Sequence, residues 1–154
     1  MPRAFSRIGR LETELGNHAF ARVSSTYLGN TLSLVSGADE TEWLGPRSDE
    51  FSFEVDGQRR ALLDVGYVEW FDDLGPLGAL LTQRRTGNGL LVTIEDVALE
   101  HTAGLLRRMQ ITNLTQTSIR ITQAAPLDWT LRGRTEVLPE APGALVCRSA
   151  ADRG

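Results

Sequence analysis

Short runs of alternating apolar and polar residues, each closed by a turn-forming pair, constrain this chain more than any other feature. Phe51, Phe53 and Val55 alternate with Ser52, Glu54 and Asp56. Successive side chains of a strand point to opposite faces, so this pattern buries one face and wets the other. Asp56-Gly57 follows, tolerates positive φ, and leads into the extended run Arg60 to Val65, which predicts a hairpin. A second hairpin is predicted from Gly78 to Gln83, through Thr86-Gly87-Asn88-Gly89, into Leu90 to Val97, with Leu90, Val92 and Ile94 on one face.

The rest of the chain reads the same way. Leu105, Met109 and Ile111 share a face that Arg107 interrupts, and the polar link Asn113 to Ser118 turns the chain into Ile119 and Ile121. Leu127, Trp129 and Leu131 alternate with Asp128, Thr130 and Arg132 beyond Pro126. Earlier, Leu11 to Leu15, His18 to Ser24 and Thr31 to Ser36 are separated by Gly16-Asn17 and Gly29-Asn30. No stretch carries the period of a long amphipathic helix that could cross between parallel strands. The expected architecture is therefore an all-β antiparallel sandwich of about nine strands. One domain is expected over residues 1–154, with its ordered core at about 11–138. The pattern weakens at Glu140-Ala141-Pro142-Gly143, so 139–154 reads as a boundary or tail.

Composition narrows the function classes. The 154 residues carry a formal net charge of -4 with both signs interspersed, which leaves no cationic field for a phosphate backbone, so nucleic acid is not an expected partner. Every basic side chain is Arg, which reads first as genome composition and second as a supply of fixed, fork-shaped contacts. Cys147 stands alone, with no partner for a disulfide and no ligand spacing for a metal. The start carries Arg3, Arg7 and Arg10 without an apolar run of secretory length, and no later stretch approaches the ~20 apolar residues of a membrane span. The expectation is a cytoplasmic chain, or a fragment of a longer one, with no membrane partner.

Catalytic signals are sparse. His18 and His101 lie far apart with no HxH or HExxH spacing, and no serine sits in a nucleophile-elbow motif. No metal or cofactor is expected, and the reading leans away from an enzyme. Thr86-Gly87-Asn88-Gly89 lacks the lysine and following helix of a phosphate loop and reads as a turn. Asn113-Leu114-Thr115 meets the glycosylation pattern but reads as the head of a strand connection.

The candidates for binding come from the longest irregular stretch, Gly37 to Asp49, where Asp39, Glu40, Glu42 and Asp49 surround Trp43, Pro46 and Arg47. Indole faces serve as platforms for sugar rings as well as core fillers. Trp129 lies in strand alternation and reads as core. Trp70, within Tyr67-Val68-Glu69-Trp70-Phe71 and followed by Asp72-Asp73, also reads first as packing, whereas for Trp43 structural and binding roles stand even. The candidate sugar-binding or interface residues are Trp43, Arg47, Asp49, Trp70 and Asp72. The plainer reading of the carboxylates is solvated charge.

A resemblance runs through Leu15-Gly16-Asn17 leading a strand, Thr31 to Ser36, Glu50 to Gly57, the strand Gly104 to Asn113 ending in Ile-Thr-Asn, and Ser118 to Ala125. Together these segments resemble the amino-terminal β-supersandwich of family 36 glycoside hydrolases, the alpha-galactosidase group, with its galactose-mutarotase-like topology. The resemblance covers roughly Leu11 to Leu131. In that family the catalytic aspartates stand on a following (β/α)8 barrel, so no catalytic residue carries over. It implies a non-catalytic module of a carbohydrate-active protein that packs beside a catalytic barrel or binds carbohydrate weakly. The alternatives are a protein-interaction or homo-oligomerisation sandwich without sugar affinity, and a small mutarotase-like enzyme.

Overall fold

The computed structural model describes residues 3–36, 40–49, 51–61, 64–125, 128–132, 134–138 and 146–150. Of these, 46–49, 123–125, 128–131, 134–138 and 146–150 are described by backbone alone. The chain is almost entirely β, with antiparallel sheets packed against each other, so the all-β sandwich expected from the alternation is the observed fold.

The strands in chain order begin with β1 (Phe5–Ile8), β2 (Glu12–Gly16), β3 (Phe20–Ser25), β4 (Thr31–Ser36) and β5 (Leu44–Asp49). The next five are β6 (Ser52–Val55), β7 (Gln58–Ala61), β8 (Tyr67–Gly75), β9 (Gly78–Gly87) and β10 (Leu90–Leu99). The last five are β11 (Leu105–Asn113), β12 (Ile121–Ala125), β13 (Asp128–Leu131), β14 (Arg134–Leu138) and β15 (Val146–Ala150). Two four-stranded meanders, β1-β2-β3-β4 and β11-β10-β9-β8, dominate the structure. A smaller sheet in the order β12-β6-β7 and the pairs β13-β5 and β14-β15 complete it.

Both predicted hairpins form at the expected turns. Asp56 and Gly57 take φ of 49° and 78°, and Asn88 and Gly89 take 51° and 74°. Positive φ at both central residues is the two-residue turn whose twist matches that of the flanking strands, and Asn, Asp and Gly tolerate it best. Along β10 burial alternates without a break, with Leu90, Val92, Ile94, Asp96 and Ala98 inward.

The core has two lobes. Phe51 and Phe53, stacked with ring centroids 5.2 Å apart, join Val65, Leu90, Val92 and Ile94 in one. Ala4, Leu15, Ala79, Leu81 and Ala98 form the other, with Phe20, Trp70 and Leu105 packed on it. Between Ile94 and Ala98 on β10 the inward position is Asp96, 3% exposed.

Three segments depart from the sequence reading. The described residues form fifteen strands rather than about nine, because short pairs such as β14-β15 and the strand β1 carry too little alternation to be seen alone. The stretch Gly37 to Asp49 is not one irregular loop, since its second half is β5, paired with β13. The register shifts between Trp129 and Leu131 opposite Gly45, Pro46 and Arg47, so the proline sits at a bulge where its missing N–H is tolerated. Thr41 and Glu42 are also anchored. The Ser36 N–H donates to Thr41 O at 3.0 Å, and an isolated bridge joins Val35 to Glu42.

Candidate functional site

Trp43 follows that bridge and is half-buried. Its N–H donates to Leu34 O and its carbonyl accepts from Arg132 N, both at 2.8 Å, so its backbone ties β4 to the residue that follows β13. Beside it, Glu42 accepts from the Ser33 hydroxyl and from the N–H groups of Leu34 and Leu44, each of the latter two at 2.9 Å. Burial opposes ionisation of Glu42, but those hydrogen bonds and the Arg132 charge outweigh it and hold the carboxyl below its ordinary range. Glu42 is thus a clip joining β4 to β5, and the reading of it as a solvated loop charge is corrected. Asp39 lies outside the described residues, as do the side chains of Arg47 and Asp49.

Trp70 is half-buried against the Leu15–Leu81 lobe, and its indole N–H donates to Thr26 O at 2.8 Å. One indole edge is therefore committed to holding the β3–β4 turn on β8. Asp72, on the same face of β8 two residues on, is exposed. His101 is exposed with its Nε2 4.0 Å from the neighbouring Glu100, and His18 is exposed as well. Among the described residues no three His, Cys, Asp or Glu side chains gather as a metal would require.

A cleft of about 190 Å³ opens where the β6–β7 hairpin meets the β9–β10 turn and the loop after β11. Phe53, Val55, Val65, Leu90 and Ile119 form its apolar floor, and Asp56, Arg60, Asp64, Asn88, Asn113 and Thr115 its polar rim. Trp43, Trp70 and Asp72 do not line it.

The rim is built by turns. Asn88 donates from its amide to Asp64 O at 2.8 Å, which holds the β9–β10 turn against the segment before Val65. Asp64 accepts the Ala61 N–H through Oδ2 at 2.8 Å, and Asp56 accepts the Arg120 N–H through Oδ1 at 3.1 Å. Each carboxylate thus has one oxygen bonded to a backbone N–H, which orients the side chain at the rim. Asn113 accepts from the Thr115 N–H and hydroxyl at 2.9 and 2.7 Å and donates to Thr117 O at 2.7 Å, closing the turn after β11. That engagement agrees with reading Asn113 as the head of a strand connection. The half-buried Arg60 places one Nη2 contact on Gln58 Oε1 at 3.1 Å and brings a guanidinium to the same rim.

Sequence reasoning missed this rim because its residues come from three separated turns, the strand β7 and the segment before Val65. The signals were present: Asp56-Gly57, Asn88-Gly89 and Asn113 were all read as turns, but nothing in the sequence says that these turns converge at one end. Comparison with protein-family models, with curated proteins and with solved structures finds no match in any of the three.

Proposed function

We propose that this chain is a non-catalytic β-sandwich module of a carbohydrate-active protein, and that its cleft holds a small polyhydroxylated ligand of the monosaccharide class. The supporting observation is the pairing of the Phe53–Leu90 floor with a rim of two carboxylates, one guanidinium and two amides. A sugar presents C–H faces to an apolar floor and vicinal hydroxyls that both donate and accept. The reading also agrees with the resemblance to the family 36 supersandwich.

The test is isothermal titration with galactose- and glucose-containing oligosaccharides on the wild type, Asp64→Asn and Arg60→Ala. The reading expects weak saturable binding that falls at least fivefold in each variant. Heat that is absent with every glycan, or unchanged by both substitutions, contradicts it.

One observation favours a second reading, a protein-interaction module. Tyr67 and Leu74 are each 74% exposed, and Phe71 and Leu77 accompany them on and just beyond β8, an edge strand of its sheet. Apolar side chains on a sheet edge mark an interaction surface. Sedimentation across a concentration series, with Phe71→Glu as the control, tests it: an oligomer dispersed by that substitution supports the reading and a uniform monomer opposes self-association.

A further inference from the structure

The four-stranded sheet β11-β10-β9-β8 ends in two strands of nine residues, β8 and β11, each with a strand neighbour on one side only among the described residues. Their charges are opposite. β8 carries Glu69, Asp72 and Asp73 and no cation, whereas β11 carries Arg107 and Arg108 and no anion. In a sheet of four antiparallel strands the end strands run in opposite directions, so β11 of a second copy set beside β8 continues the sheet as one more antiparallel step. The backbone agrees. Leu114 N donates to Gly89 O at 2.8 Å and Leu99 N to Gly104 O at 3.1 Å at the two ends of the β10–β11 ladder, and Glu100 N donates to Leu77 O at 3.0 Å beyond β9–β10. Carried along the registers, this alternation turns the peptide groups of Arg107 and Met109 on β11, and of Val68 and Trp70 on β8, toward the sheet edges. Arg107, Met109 and Trp70 point their side chains inward, and Val68 shares the face of Trp70, so the two edges match in pleat as well as in direction.

We propose that copies of this chain join head to tail through these edges, β8 of one copy pairing antiparallel with β11 of the next. The proposal rests on reading β8 as an interaction edge and names what occupies it. One register combines ionic and apolar contacts: Glu69 stands opposite Arg108 of the next copy, Phe71 opposite its Leu106 and Val68 opposite its Met109. Opposite charges and apolar pairs set directly across a ladder stabilise it. Arg108 is 72% exposed and 3.6 Å from its own Glu95, which leaves it accessible to a second carboxylate. Phe71 and Leu106, exposed in the single copy, lose contact with water on pairing. Like edges repel, because β8 on β8 doubles the carboxylates and β11 on β11 doubles the guanidinium groups, so the contact is set between unlike edges. An interface between unlike patches does not close on a twofold axis, and it adds copies one after another.

Sedimentation equilibrium over a concentration series at low ionic strength tests this with the wild type, Glu69→Arg, Arg108→Glu, the double variant and an equimolar mixture of the two single variants. The wild type should pass beyond a dimer as concentration rises. Each single substitution sets like charges across the ladder and should weaken association about tenfold. The double variant and the mixture restore the opposite pairing and should recover association, and mixing repairs an interface but not a misfolded chain. A wild type that stays monomeric, an oligomer that stops at a dimer, or a mixture that associates no better than either single variant would each overturn the proposal. Association dispersed by Phe71→Glu but indifferent to Arg108→Glu would also overturn it, while leaving β8 an interaction edge.

Discussion

Arg22 of one sheet and Asp96 of the other meet at 2.7 Å with side-chain exposures of 2% and 5%, so the sandwich is cross-linked through its interior by a charged pair. Arg107, on the strand next to Asp96, grips the same carboxylate. A carboxylate between two guanidinium groups is held ionised, and removing it leaves positive charge buried without an answer. Asp96→Asn is therefore expected to destabilise the fold by about 3–5 kcal/mol in urea unfolding, the range for breaking a buried ion pair from one side. Replacing Arg22, Asp96 and Arg107 together by Met, Leu and Met should cost far less, because no charge remains to strand.

The same site predicts the response to acid. Burial raises the Asp96 pKa, but the Arg22 charge and the hydrogen bonds and charge of Arg107 outweigh it, and the value falls below the ordinary 3.8. Glu42 is lowered likewise from 4.5. For a group whose folded pKa is depressed, the stabilisation is complete above the unfolded value and is lost as pH falls through the folded one. Urea midpoints should be insensitive to these two groups above about pH 5 and should drop on further acidification. Asp96→Asn should flatten that drop.

How much of this the sequence disclosed depends on the range of the interaction. Turns are local, so Asp56-Gly57 and Asn88-Gly89 marked their hairpins correctly. Arg107 was visible as an interruption in an apolar face, but its reason is Asp96, which the β10–β11 register places directly opposite. Arg22 was invisible as its companion, being on the facing sheet. β5 escaped because Leu-Gly-Pro-Arg-Ser-Asp has no alternation and contains a proline, so only its pairing with β13 makes it a strand. The cleft escaped for the same reason as the ion pair: its rim is assembled by topology from residues that carry no shared local pattern.

Two glycines with positive φ separate steric need from conformational need. At Gly78, φ is 148°, and an added Cβ would overlap the Ala98 carbonyl oxygen, whereas at Gly57, φ is 78° and the space is open. Gly78→Ala should lose more than about 2 kcal/mol of stability and Gly57→Ala about 1 kcal/mol. Chemical denaturation of the pair checks the contrast.

Trp70→Phe keeps the aromatic packing and removes the indole donor to Thr26 O, so a loss of about 1 kcal/mol is expected in the same assay. Glycan affinity should not change, since Trp70 does not line the cleft.

Whether the rim formed by Asp56, Arg60, Asp64, Asn88, Asn113 and Thr115 takes the proposed ligand is read by amide chemical-shift mapping during titration with galactose and glucose oligosaccharides. Saturable shifts are expected at those residues and at Gly89 and Leu90 of the adjoining turn. Saturable shifts clustered instead around Trp43 or along Tyr67–Gly75, or a spectrum that no glycan perturbs, would contradict the proposal.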